Sequence, residues 1–113
     1  GTNTCFEINT NENIDIDFAI TLGLILNEII TNTLKHNLGQ KKLKIELTFV
    51  KKNNTYELKV SDNGKGLDIT TVQKKNTLGM RLISILTKQL EGELQITSEK
   101  DKGVTYTITI SMS

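Results

Sequence analysis

Proline and tryptophan are absent from the 113-residue sequence, and cysteine occurs once, as Cys5. With no proline, breaks between elements fall to glycine and to polar turns. A lone cysteine excludes an internal disulfide and fits a reducing compartment, so a cytoplasmic domain is expected. Charge of one sign is equally scarce, fourteen Lys and Arg standing against thirteen Asp and Glu for a net charge of +1. Nucleic-acid binders concentrate positive charge on one face, and this balance argues against such a partner. The longest apolar stretch, around Leu22 to Ile30, is broken by Asn27 and Glu28. It falls short of the ~20 residues a membrane span requires, so no membrane contact is expected. No repeat, low-complexity tract or linker divides residues 1–113, which read as one domain. A domain of this length buries roughly two-thirds of its unfolded surface, enough for a core without staples.

What is present is periodic. Cys5, Phe6 and Ile8 make a short strand-like run, followed by the polar turn-like stretch Asn9 to Asn13. From Asp17 to His36, Leu22, Ile25, Leu26, Ile29 and Ile30 recur at helical spacing, with Asp15 or Asp17 as cap and Gly39 beyond the end. Residues 42–61 read as a hairpin. Leu43, Ile45, Leu47 and Phe49 alternate with polar residues, Asn53-Asn54 turns the chain, and Tyr56, Leu58 and Val60 alternate again. Asp62 to Thr77 reads as a loop. A second helix is expected from Gly79 to Glu91, ended by Gly92. Leu94 and Ile96 make a strand, Lys100 to Gly103 a turn, and Val104, Tyr106, Ile108 and Ile110 a last strand alternating with threonines. Helices and paired strands are segregated, which predicts an α+β fold. Its form is a two-layer α/β sandwich, a mixed sheet covered on one face by helices.

Three stretches carry candidate chemistry. On the first helix Glu28, Asn32, Lys35 and His36 lie at i, i+4, i+7 and i+8, within roughly a 100° arc of its surface. A solvated stripe on an amphipathic helix gives the same pattern. Asparagine is a mediocre helix former, however, so Asn27 and Asn32 need a reason. A hard cation such as Mg²⁺ prefers oxygen ligands and keeps several waters, which suits one amide oxygen and a metal already carried by phosphates. The second stretch is Asp62-Asn63-Gly64-Lys65-Gly66, directly after a strand. Its glycines allow a sharp turn and the close approach of a flat ligand. The Asp can accept from an exocyclic amine such as that of adenine. Asp-Asn-Gly is also an ordinary turn sequence. The third is Thr77-Leu78-Gly79-Met80-Arg81, leading into the second helix. A glycine there leaves N–H groups free for phosphate oxygens, although it also suits a plain helix cap.

Taken in order, these stretches resemble the ATP-binding domain of bacterial sensor histidine kinases, in the GHKL superfamily shared with gyrase, the large heat-shock chaperone and a mismatch-repair ATPase. Asn27 to His36 looks like the family's N box and Asp62 to Gly66 like its first glycine box. Leu78-Gly79-Met80 with Leu82-Ile83 looks like the second, and Gly103-Val104-Thr105-Tyr106 is similar to the closing Gly-x-Thr-aromatic element. The match runs from about Ile14 to Ile110. It implies the Bergerat ATP-binding fold, with a mostly antiparallel sheet, in a short-lid branch lacking a Phe box. It departs in Thr33, where alanine is usual and which narrows the base pocket, and in Val104 before Thr105.

The resemblance implies roles. Asn32 would hold Mg²⁺, Lys35 would pair with phosphate, and His36 would contact phosphate or ribose. Asp62 would read the adenine amine, supported by Thr105, while Gly64, Gly66 and Gly79, with Leu78 and Met80 beside it, would admit base and phosphates. Glu28 is the catalytic candidate, as a base or as an organiser of the metal shell. The implied activity is transfer of the γ-phosphoryl group of Mg·ATP to a histidine on a dimerisation and phosphoacceptor domain of the same kinase. A response regulator would be an indirect partner. The single histidine, His36, belongs to the nucleotide site, so the chain alone is expected not to phosphorylate itself. An anti-sigma-type serine kinase of the same superfamily and a degenerate nucleotide-binding interaction module remain alternatives. Residues 67 to 78 hold little to bury beyond Ile69 and Val72, and are expected to be mobile until nucleotide binds.

Overall fold

In a computed structural model, residues 3–9, 16–40, 42–66, 78–99 and 102–111 are described. The elements follow the order β1 (Asn3–Asn9), α1 (Ile16–His36), β2 (Lys44–Lys52), β3 (Thr55–Asp62), α2 (Leu78–Gln89), β4 (Gly92–Glu99) and β5 (Gly103–Ser111). The strands form one five-stranded sheet in the order β1-β2-β3-β5-β4. β1 runs parallel to β2, and every other pairing is antiparallel. The expected mixed, mostly antiparallel sheet is therefore present, and α1 and α2 pack side by side over one face of it.

Period-two alternation decides which face that is. Ile45, Leu47 and Phe49 of β2, Tyr56, Leu58 and Val60 of β3, and Val104, Tyr106, Ile108 and Ile110 of β5 are buried. Leu47 stands opposite Val60, which stands opposite Tyr106, and Phe49, Leu58 and Ile108 repeat the row. Leu22, Ile25 and Ile29 of α1 and Ile83 of α2 cover these rows. Each such side chain contributes about 1.5–3 kcal/mol when fully buried. Phe18, Phe49 and Tyr56 cluster at the end of the sheet away from Asp62, the latter two stacked at 5.2 Å.

The structure differs from expectation in three places. α1 is 21 residues long and apolar enough, at a mean hydropathy of 1.2, to pass for a span by length and composition. Asn27 and Glu28 interrupt it less than the sequence suggested, but its Leu22, Ile25 and Ile29 lie in the core, the position of a covering helix. α2 ends at Gln89, and the residue that turns the chain is Glu91 (φ 56°), not Gly92. Gly92 instead opens β4, where a Cβ would stand 3.0 Å from Ile110 Cγ1 and from Thr109 O. Asp17 lies inside the first turn of α1, where its charge suits the positive end of the helix dipole. Asp15 and the stretch 67–77, on which the expected mobility falls, lie outside the described residues.

Candidate functional site

The polar face of α1 meets the rest of the protein in two places, one turn apart. Nearer the middle of the helix, Glu28 and Asn32 are half-buried against the first turn of α2. A Cβ placed on Gly79 would lie 3.0 Å from Asn32 Oδ1 and 3.2 Å from Glu28 Oε2. Two oxygen donors thus converge on the N-terminal end of a helix, whose unpaired N–H groups favour anions. Among the described residues no group of three His, Cys, Asp or Glu side chains stands together. A cation held here would take only part of its shell from the protein, which fits Mg²⁺ arriving on phosphates.

At the C-terminal end of α1, Thr33, His36 and Asn37 line a small pocket with Asp62, Gly66, Val104 and Tyr106. Asp62 reaches it because it continues the buried row Tyr56, Leu58 and Val60 of β3 to the strand's end. The backbone N–H of Gly64 donates to Asp62 Oδ1 at 2.7 Å. Burial pushes the Asp62 carboxyl above its ordinary 3.8, against the opposing pull of backbone bonds from Gly64 and Val104 and of His36. The Tyr106 phenol is pushed up to about 12, by burial first and by the Asp62 charge second, so it stays neutral. The enclosed space is about 10 Å³, room for one water.

The glycines are required by close approach. Gly66 (φ +78°) and Gly103 (φ +102°) adopt left-handed backbone, and a Cβ on Gly103 would overlap the Asp62 carbonyl oxygen. At Gly64 the space a Cβ would take is filled by Asn37, and at Gly66 by the Glu99 carbonyl.

Some expected residues stand apart from these clusters. Thr105 faces the other side of the sheet, because Val104 and Tyr106 take the inward positions of β5, and its hydroxyl donates to Ser61 Oγ at 3.4 Å. The support for Asp62 that the sequence assigned to Thr105 comes instead from the backbone of Val104. Leu78 is exposed at the start of α2. Met80 packs against the core and lines a groove with Leu94 and Ile96, away from Asn32. Lys35 is exposed in the last turn of α1, as is His36, which nevertheless lines the Asp62 pocket.

The sequence profile described as histidine kinase-, DNA gyrase B- and HSP90-like ATPase matches residues 18–113. The chain belongs to that ATPase family. No match was found among curated proteins. Among solved structures, this ATPase domain is similar to a blue-light-activated histidine kinase from Erythrobacter litoralis, with a TM-score of 0.88 and 23% identity over 99% of this chain and 36% of that one. The histidine kinase domain of the same protein gives a TM-score of 0.86 at 22% identity, over 98% of this chain and 52% of that one. The histidine kinase AdeS of Acinetobacter baumannii gives 0.79 at 19% identity, over 99% of this chain and 55% of that one. The chain therefore spans about half, or less, of these kinases, and the likeness establishes a shared fold.

Within this ATPase domain, sequence reading passed over Asn37, which follows the motif and is nevertheless buried, at 7% exposure. Val104 was read as part of the apolar row of the last strand but given no part in the site, where it lines the Asp62 pocket.

Proposed function

We propose that the domain binds Mg·ATP and donates its γ-phosphoryl group to a histidine on a separate dimerisation and phosphoacceptor domain of a sensor histidine kinase, with a response regulator downstream. The observation that carries this reading is the spacing along α1. The carboxylate pocket of Asp62 stands at one end, and the oxygen donors Glu28 and Asn32, facing Gly79, stand one turn away. A nucleotide lying along the helix would present its base to the first and its phosphates to the second.

Asp62 accepts from the exocyclic amine of adenine, while the backbone bonds from Gly64 and Val104 hold the carboxylate in place. Asn32 supplies an oxygen to Mg²⁺, whose contribution when bound is to neutralise charge on the phosphates. Lys35 and His36, on the same helix face, approach phosphate and ribose. The amide ends of α2 at Leu78 and Gly79 take phosphate oxygens. Glu28, a turn before Asn32, is the candidate base towards the attacking nucleophile, or else an organiser of the metal shell. Positioning of this kind accounts for most of the catalysis in phosphoryl transfer.

Titration with a fluorescent ATP analogue, with and without Mg²⁺ and with GTP as competitor, tests the binding half. Saturable, Mg²⁺-strengthened binding that ATP displaces and GTP does not is expected. Absence of saturable binding would favour a degenerate interaction module instead.

A further inference from the structure

Asn37 lies one residue beyond α1, and both ends of its amide are engaged. Its Nδ2 donates to the Thr33 carbonyl at 2.7 Å. The backbone N–H of Lys65 donates to its Oδ1 at 3.1 Å. The first bond has a clear cause. The Asn37 N–H bonds to Leu34 O, three residues back, so the regular fourth-residue bond to Thr33 O is not made. The side chain satisfies that carbonyl instead.

The second bond reaches into the glycine loop. The consecutive amides of Gly64 and Lys65 are taken by two different side chains, Gly64 N–H by Asp62 and Lys65 N–H by Asn37. Gly64 lies so tightly on the Asn37 amide that a Cβ would overlap Oδ1 and stand 2.6 Å from Cγ. On the loop's outer side, Asn63 accepts from Lys44 N–H at 2.6 Å and donates to Lys42 O at 3.1 Å. The loop is thus held from both flanks, by Asn63 towards β2 and by Asn37 towards α1. Its inner end carries the Asp62 carboxylate.

We propose that Asn37 is a positioning residue of the base site, its amide fixing the Asp62–Gly66 loop against the end of α1 and so setting where the Asp62 carboxylate meets the base. The proposal rests on the nucleotide reading for its functional half, while its structural half stands on the ligand-free protein. Asn37→Ala removes both bonds. Asn37→Asp keeps the size and the acceptor for Lys65 but sets a carboxylate oxygen against Thr33 O and a second negative charge beside Asp62.

The test compares wild type, Asn37→Ala, Asn37→Asp and Thr87→Ala. The last loses a buried hydrogen bond to Ile83 O, remote from the loop, and controls for general destabilisation. Amide exchange followed by NMR without ligand should speed up at Gly64 and Lys65 in Asn37→Ala, speed up less at Lys65 in Asn37→Asp, which keeps that acceptor, and remain unchanged at both in Thr87→Ala. Calorimetry should show adenosine and Mg·ATP weakened by the same factor, roughly 2- to 12-fold for the loss of a neutral hydrogen bond. Equal factors mean that the damage is at the base end. Unchanged exchange at Lys65 in Asn37→Ala, or a loss for ATP with none for adenosine, overturns the proposal. If wild type binds neither ligand, the nucleotide reading falls, and the exchange rates alone decide whether Asn37 positions the loop.

Discussion

Asp62 accepts a 2.7 Å hydrogen bond from the Gly64 N–H while its carboxyl lies among Thr33, Val104 and Tyr106. A carboxylate held this way is costly for the empty protein, as its raised pKa records. A group whose folded pKa lies above its unfolded value contributes stability that is fully present below the unfolded pKa and is lost as pH rises through the folded one. Relative to Asp62→Asn, wild type should therefore be most stable at and below pH 3.8 and lose ground as pH rises towards neutrality. Denaturant midpoints of the two proteins at several pH values check this, and a difference that does not vary with pH contradicts it. Binding should move the other way. Losing a hydrogen bond to a charged group costs roughly 1.5–3 kcal/mol, or 10- to 150-fold in ATP affinity, and the preference for ATP over GTP should shrink with it.

Asn32 and Lys35 lie on the same face of α1, but only Asn32 stands at the start of α2. Asn32→Ala should remove mainly the Mg²⁺-dependent part of nucleotide affinity. Lys35→Ala should weaken triphosphate binding while sparing adenosine, because its partner is a phosphate. Calorimetric titrations with adenosine, ATP and Mg·ATP separate the two. Identical losses in all three would mean that both substitutions merely disturb the helix.

Gly79 and Gly103 should respond differently to alanine. The neighbours of a Cβ on Gly79 are the ends of the Asn32 and Glu28 side chains, which can turn aside, and alanine is the better helix former by roughly 1 kcal/mol. Gly79→Ala should leave thermal stability equal or higher while lowering Mg²⁺-dependent ATP affinity. Gly103→Ala forces a side chain into left-handed backbone and against the Asp62 carbonyl, at a cost on the order of 1–3 kcal/mol from the backbone alone. Melting curves of the two variants beside wild type decide the matter. Equal destabilisation would contradict the assigned contacts.

Thr33 is buried at 4% exposure and lines the pocket of Asp62, where alanine would leave more room. Thr33→Ala removes a buried methyl group and a hydroxyl and should cost about 1 kcal/mol or more of stability. It should also strengthen adenosine binding, since the present space admits one water. Weaker binding of adenosine by the variant would show that the Thr33 side chain contacts the base instead of crowding it.

Much of this arrangement was legible because alternation and helical spacing are strong signals. Leu47, Phe49, Tyr56 and Leu58 announced the hairpin, and Ile25 and Ile29 the inner face of α1. Where expectation failed, tertiary contact outweighed the local rule. Gly92 resembles a helix stop, yet Glu91 makes the turn, and Gly92 lies close against Thr109 and Ile110 of the neighbouring strand. Thr105 was matched by motif, whereas the parity of β5 turns it away from Asp62. Asn37 gave no signal at all, because nothing local distinguishes a polar residue that ends a helix in solvent from one folded inward over a loop. The parallel pairing of β1 with β2 was likewise invisible, since a five-residue run carries no register.

The phosphotransfer proposed above can be tested by reconstitution. His36 is the only histidine and lines the Asp62 pocket, which the proposed function gives to the base, so the chain alone should bind Mg·ATP without labelling itself. Hydrolysis should be slow, because a diffusing water replaces a positioned imidazole. Mixed with the separately produced dimerisation domain of its own kinase, the chain should transfer phosphate to one histidine there. Asn32→Ala should abolish transfer. Glu28→Gln should retain ATP binding and slow transfer by about 10²-fold, the lower range for a lost acid–base contribution. Labelling with γ-³²P-ATP, followed by acid and base treatment, reads the chemistry, since phosphohistidine is lost in acid and survives base. A label that survives acid and maps to a serine of a partner protein would replace the histidine-kinase reading with a serine-kinase one. Transfer undiminished in Glu28→Gln would confine Glu28 to ordering the start of α2, where its Oε2 already faces Gly79.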